Sequence, residues 1–191
     1  MVEIIAQLSP ALACVNCYEV SPGVQTASYE TALVNQGFAT KIKRVSSIEH
    51  AYPTYRPKAK QVWNIFKVTP RNEGSKISIT VLERHPYTTQ TFVPLGGNAE
   101  QIEFLAVVAE DREGQPDPTS LRAWLCHGGQ LVTYAANQWH APMIALHDQL
   151  IFAVTNAENN TGDDLEEFFF TPEAVPQVVL NLSKNKNRSS L

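Results

Sequence analysis

Residues 81–94 read V-L-E-R-H-P-Y-T-T-Q-T-F-V-P, and residues 120–144 read S-L-R-A-W-L-C-H-G-G-Q-L-V-T-Y-A-A-N-Q-W-H-A-P-M-I. Both are short runs rich in β-branched and aromatic residues, broken by turn residues, which is the pattern of strands. Each carries a histidine that strand packing does not need, His85 in the first and His140 in the second. Glu83 stands two residues before His85, and Gln90 five residues after it. A strand pair that brings Glu, His and Gln against a second His is how a small β-barrel builds a polar site in its interior.

The same period runs outward from this stretch. Ile77, Ile79 and Val81 share one face, with Ser78 and Thr80 on the other. Continuing it predicts that Glu83 and His85 lie on the apolar face and point into the core, while Arg84 faces away. An inward carboxylate is costly unless it is paired, hydrogen-bonded or metal-bound, so Glu83 singles out the site. The next strand, over 89–95, sets Gln90, Phe92 and Pro94 on one side. Residues 102–109 read as a buried strand, and 110–118, ending in Pro-Asp-Pro, as an exposed turn. Strands follow over 121–126, 130–135, 139–146, 150–155 and 166–170, separated by Gly128-Gly129 and Ala136-Asn137-Gln138.

In the first half, 61–69 is the clearest strand and 38–45 a looser one. Residues 27–35 suggest a short helix, and 46–60, with two prolines, a mobile loop. Residues 173–181 fit a short terminal helix or strand, and 182–191 a disordered basic tail. Short, regularly spaced strands predict an all-β sandwich or barrel with short flanking helices.

The chain has 191 residues, 43% of them hydrophobic, enough to bury a sizeable core in one domain over residues 1–181. A formal net charge of −4 argues against nucleic acid as a partner. No apolar run reaches the ~18 residues of a membrane-spanning helix, so no membrane partner is expected. The opening M-V-E-I-I-A-Q-L-S-P lacks the pattern of a secretory signal peptide, and a cytoplasmic location is expected. Ser189-Ser190-Leu191 partly matches the Ser-Lys-Leu address, which makes the peroxisome the minor alternative. Cys14, Cys17 and Cys126 read as reduced thiols. The C-x-x-C has neither the βαβ context of a redox motif nor a second ligand pair for zinc. Sequons at Asn159, Asn181 and Asn187 carry no meaning without a secretory route. His50, His127 and His147 fall in or near turns and are expected to be solvated.

The site motifs resemble those of a cupin barrel. In that pattern Glu83 stands where a first His is usual and Gln90 where a Glu is usual, while His85 and His140 match directly. The resemblance implies a double-stranded β-barrel, or jelly roll. A closer resemblance is to the ureidoglycolate lyase family of allantoin degradation. It is carried by L-E-R-H-P (82–86), T-Q-T-F-V-P (89–94), P-D-x-x-x-L-R-A-W (116–124) and Y-x(4)-W-H-A-P-M (134–143). Asn35-Gln36-Gly37 followed by Lys41 is similar to that family's early Asn-Gly segment and basic residue. The A-P-M ending looks like the fungal branch.

What the resemblance implies is the cleavage of ureidoglycolate, a carbinolamide, to glyoxylate and urea. Such a reaction needs a base at the hydroxyl, an acid at the leaving nitrogen, and cations or N–H donors for the carboxylate. His85 and His140 are the candidate acid and base. Glu83 is the third catalytic candidate, to orient an imidazole or share the proton transfer. Asn35, Gln90 and Tyr134 are candidates to bind substrate; Lys41 is the first choice to hold its carboxylate, with Arg122, or Arg84 despite its outward face, as the alternatives. Glu83, His85, Gln90 and His140 are also candidate ligands for a divalent metal, although the chemistry requires no cofactor. The resemblance further implies a homodimer. The alternatives are a metal-dependent cupin enzyme of other chemistry and a non-catalytic cupin that binds a small carboxylate.

Overall fold

The computed structural model describes residues 2–8, 14–17, 30–71 and 74–180, with the backbone alone for residue 8 and residues 14–17. The tail over 182–191, part of the segment expected to be helical and the side chains of Cys14 and Cys17 lie outside the described residues. The early strands are β1 (Glu3–Ile5), β2 (Gln7–Leu8), β3 (Cys14–Cys17), β4 (Thr31–Val34), β5 (Ala39–Ile42) and β6 (Lys60–Val68). They are followed by β7 (Lys76–Ser78), β8 (Val81–Arg84), β9 (Gln90–Pro94), β10 (Ile102–Ala109), β11 (Asp111–Arg112) and β12 (Gln115–Pro116). The rest are β13 (Arg122–His127), β14 (Leu131–Tyr134), β15 (Trp139–His140), β16 (Ile144–Ala145), β17 (Leu150–Glu158), β18 (Glu166–Phe169) and β19 (Gln177–Val179).

Two sheets face each other across the core. One runs β18-β8-β15-β10-β13-β2, with β16 also paired to β10, and the other runs β3-β14-β9-β17-β6. Phe104, Ala106, Val108, Trp124 and Cys126 of the first meet Phe92, Val132, Tyr134, Phe152 and Val154 of the second. Phe104 and Phe152 pack edge to face with ring centroids 5.3 Å apart. Burying each such side chain contributes about 1.5–3 kcal/mol. The opposite face of the first sheet carries a second cluster, including Leu82, Leu105, Val107, Leu125 and Trp139, joined by Ile77 of β7 and Val178 of β19. The architecture is all-β and fits the expected jelly-roll, cupin-like fold.

Two expectations are corrected. The described part of the segment expected to be helical is the strand β4, paired antiparallel with β5 around Asn35–Gly37. Among the described residues, helix-like hydrogen bonding is confined to two three-residue turns, Asn35–Gly37 and Pro118–Ser120. Asn35, Gln36 and Gly37 all take positive φ, which closes a hairpin and cannot extend a right-handed helix.

The second correction is to the phase around residue 80. β7 and β8 are separate strands, and Leu82, not Val81, joins Ile77 and Ile79 in the second cluster. The break flips the side chains that follow. Glu83 therefore points between the two main sheets and not along the Ile77–Ile79 face. The segment over 173–181 supplies the strand β19, parallel to β1. His127 is half-buried at the end of β13, whereas His50 and His147 are exposed as expected.

Candidate active site

Strand register assembles the site. Glu83 of β8 lies opposite His140 of β15. His140 lies opposite Val108 of β10, which in turn lies opposite Arg122 of β13. Directly opposed residues share a face, so Glu83, His140, Val108 and Arg122 form one row across the interior side of the sheet. His85 follows just past β8. From the facing sheet come Gln90 and Tyr134, themselves directly paired. Six of the eight sequence candidates thus lie on the interior side of the two sheets. Lys41 and Asn35 do not, because they are exposed on the β4–β5 hairpin, which pairs only with itself among the described strands.

The two imidazoles are held differently. His140 is 1% exposed, and its Nδ1–H donates to the Gln138 carbonyl oxygen at 2.8 Å. Its Nε2 lies 3.1 Å from Gln90 Oε1 and 3.6 Å from Glu83 Oε1. The hydrogen bond of that nitrogen therefore goes to Gln90, and the longer contact to Glu83 is an ion pair when the ring is protonated. Oxygen atoms thus flank both ring nitrogens. The Tyr134 ring stacks on it, with centroids 4.0 Å apart and planes at 13°.

His85 donates its Nδ1–H to the Asp164 carbonyl oxygen at 2.9 Å. A carbonyl can only accept, so in the neutral ring the lone pair sits on Nε2. Nε2 is buried without a hydrogen-bond partner among the described residues. Burial, and then the charge of His140, hold the imidazole below its ordinary value, against the Asp164 bond and the Glu83 and Glu158 carboxylates. Burial pushes the Glu83 carboxyl up, but its pairing with His140 and the charge of His85 outweigh this, so the group sits below its ordinary value. A neutral imidazole with an inward lone pair thus stands beside an imidazole paired with a carboxylate. Environments that differ in this way separate a base from an acid.

Arg122 spends Nη1 on the Ser120 and Leu121 carbonyl oxygens, at 3.1 and 2.9 Å, and its other N–H groups have no hydrogen-bond partner among the described residues. Arg84 faces away from Glu83, as alternation predicts. It bonds Glu166 and Asp111 and lies 4.4 Å from the centroid of the Trp139 ring. Trp139 Nε1 donates to Asp111, so this outer cluster braces the backbone that carries His140. Sequence reading missed Asp164 and Gln138, because both act through main-chain carbonyls, which have no residue signature. Glu83, His85 and His140 present donor atoms within 4.8 Å of one another. Two imidazole nitrogens and a carboxylate oxygen fit a divalent ion, with the Gln90 amide a weaker neighbour.

Fold and site together define an all-β protein with two imidazoles and a carboxylate clustered between two sheets. A family model described as ureidoglycolate lyase matches residues 18–177. The chain is 38% identical over 146 residues to a ureidoglycolate lyase of Saccharomyces cerevisiae, covering 70% of this chain and 73% of that protein. It is 36% identical over 138 residues to one of Schizosaccharomyces pombe, covering 68% and 72%. It is also 36% identical over 148 residues to one of Brucella anthropi, covering 78% and 80%. The chain belongs to the ureidoglycolate lyase family.

Proposed function

We propose that this chain cleaves ureidoglycolate to glyoxylate and urea by paired proton transfers between the two sheets. His85 Nε2 takes the proton of the carbinol hydroxyl. The C–O bond becomes a carbonyl as the C–N bond breaks, and the electron pair of that bond passes to nitrogen. His140, charge-compensated by Glu83, delivers a proton to that nitrogen, and urea leaves. Arg122 holds the substrate carboxylate, and Gln90 orients both His140 and the ureido group. The reading rests above all on the buried, unpartnered Nε2 of His85 beside the His140–Glu83 pair. Incubating the purified protein with ureidoglycolate and scoring glyoxylate, urea and ammonia together tests it. Equal glyoxylate and urea without ammonia is the expected result, and ammonia as the nitrogen product would refute the lyase reaction.

Glu83, His85 and His140 would hold a divalent metal, which when bound would polarise the substrate oxygens. Collapse of a carbinolamide asks only for proton transfers, and the same reading includes turnover without the ion. We expect activity to persist, at a reduced rate at most, in excess chelator. Near-stoichiometric metal by elemental analysis, with activity lost on chelation and restored on re-addition, would overturn that expectation.

The reading also includes a homodimer. β6 has β17 as its one strand neighbour among the described residues, and Trp63 and Ile65, 62% and 61% exposed, project from its outer side. A nine-residue edge strand with these two apolar side chains exposed invites pairing with another chain, and a two-fold pair is the commonest solution. Light scattering is expected to give a dimer mass across a dilution series, and Ile65→Lys to lower it toward the monomer. A monomer mass for the unaltered chain would refute the dimer.

A further inference from the structure

We propose that Tyr52 is a positioning residue for His85, acting through Asp164. The inference rests on the reading of His85 as the base. The ring cannot choose its own tautomer. A neutral imidazole carries its hydrogen on either nitrogen, and the Nε2–H form has no lone pair to offer the substrate. What selects the other form is the Asp164 carbonyl oxygen at Nδ1. That carbonyl belongs to the connection between β17 and β18, a stretch outside the strand ladders that passes through Asn160 at φ 59°. Inside it the Asp164 N–H donates to the Thr161 carbonyl oxygen at 3.2 Å, a local bond that leaves side chains to tie the connection to the rest of the fold.

Tyr52 supplies the long-range tie. Its hydroxyl lies 2.6 Å from Asp164 Oδ1 and 2.8 Å from the Ala157 carbonyl oxygen, so it spans both ends of the connection. The same Asp164 oxygen accepts from the Asn159 N–H at 3.0 Å, and Arg56 pairs with Asp163 at 3.0 Å. Tyr52 is itself held against the residues that follow His85. Ala51 N–H donates to the Tyr87 carbonyl oxygen at 2.7 Å, and Thr89 N–H to that of Glu49 at 3.0 Å. The Tyr52 and Tyr87 rings lie 5.2 Å apart. One strap, residues 46–56, is therefore anchored on the chain leaving His85 and reaches across to the carbonyl that fixes its ring. The segment expected to be a mobile loop is the element that joins the two.

Tyr52→Phe keeps the ring packing and removes the tie. It is expected to lower kcat about tenfold with KM changed less than about twofold, the scale and pattern of losing an outer partner of a functional histidine. Nitrogen-15 spectra of the imidazoles should show His85 passing from the Nδ1–H form to a mixture. Asp164→Ala should reproduce both effects, and the double variant should lose no more than either single one. Asp164→Asn, which keeps an acceptor for the Tyr52 hydroxyl, should restore them. If Tyr52→Phe fails to fold, the two Asp164 variants carry the same comparison. An unchanged His85 tautomer, or a double variant whose loss is the product of the single losses, overturns the proposal. The spectra need no substrate. A chain that leaves ureidoglycolate intact would sink the lyase reading while the tautomer still decides the role of Tyr52.

Discussion

His85→Ala is expected to cut kcat by ~10² to 10⁴, the range of a single general acid–base group, while the fold survives. The ring is 8% exposed and meets the interior with an unpartnered nitrogen, so its loss removes one hydrogen bond, to the Asp164 carbonyl, and leaves a small polar void. The pH profile gives the second check. His85 sits below its ordinary value of 6.5, so the neutral, basic form prevails at pH 7. As pH falls through the lowered value, the ring takes a proton and kcat/KM should drop. In His85→Ala the residual rate should lose that acid limb. Near-normal turnover by the soluble variant, or an acid limb that persists in it, would remove His85 from the reaction.

The fold class and the core of this site were legible because strands encode them locally. Alternation around Glu83 and the paired motifs around His85 and His140 single out residues that strand register then brings within 4.8 Å. What alternation cannot encode is a break in phase. Residues 79–80 leave the ladder, and Leu82 takes the core position that an unbroken period gives to Val81. Glu83 reached the interior all the same, but toward the other core.

The outer support was not legible, for a different reason. Asp164 and Gln138 orient the histidines through carbonyls common to every residue, and Tyr52 acts over a sequence separation of 112 residues. Lys41 is the reverse case. Its type suits a carboxylate, but its hairpin stands apart from the interior row. Arg122 was the harder choice from sequence, and it lies in that row because β13 pairs with β10 in the register that aligns Val108 with both Arg122 and His140.

His140→Ala is expected to lower kcat by a similar ~10² to 10⁴, because the leaving nitrogen then departs without its proton donor. Unlike His85→Ala, it should also carry a pH-dependent stability signature. Glu83 is held below its ordinary value of 4.5 mainly by His140, against the upward push of burial. A carboxyl with a depressed folded-state value stabilises the fold above its unfolded value, and that contribution is lost as pH falls through the folded one. The Glu83 side chain keeps 18% of its exposure, so solvent screens part of the pairing. In His140→Ala the carboxyl rises and this contribution goes. The gap in thermal stability between the original chain and the variant should then narrow as pH falls below about 4.5. Glu83→Gln should narrow it too, because the variant amide has no charge to compensate. Unfolding of the three proteins followed by calorimetry at pH 7 and pH 4 makes the comparison. A gap that stays constant over that range would mean that Glu83 and His140 do not act as a charge pair, and the acid assigned to His140 would lose its support.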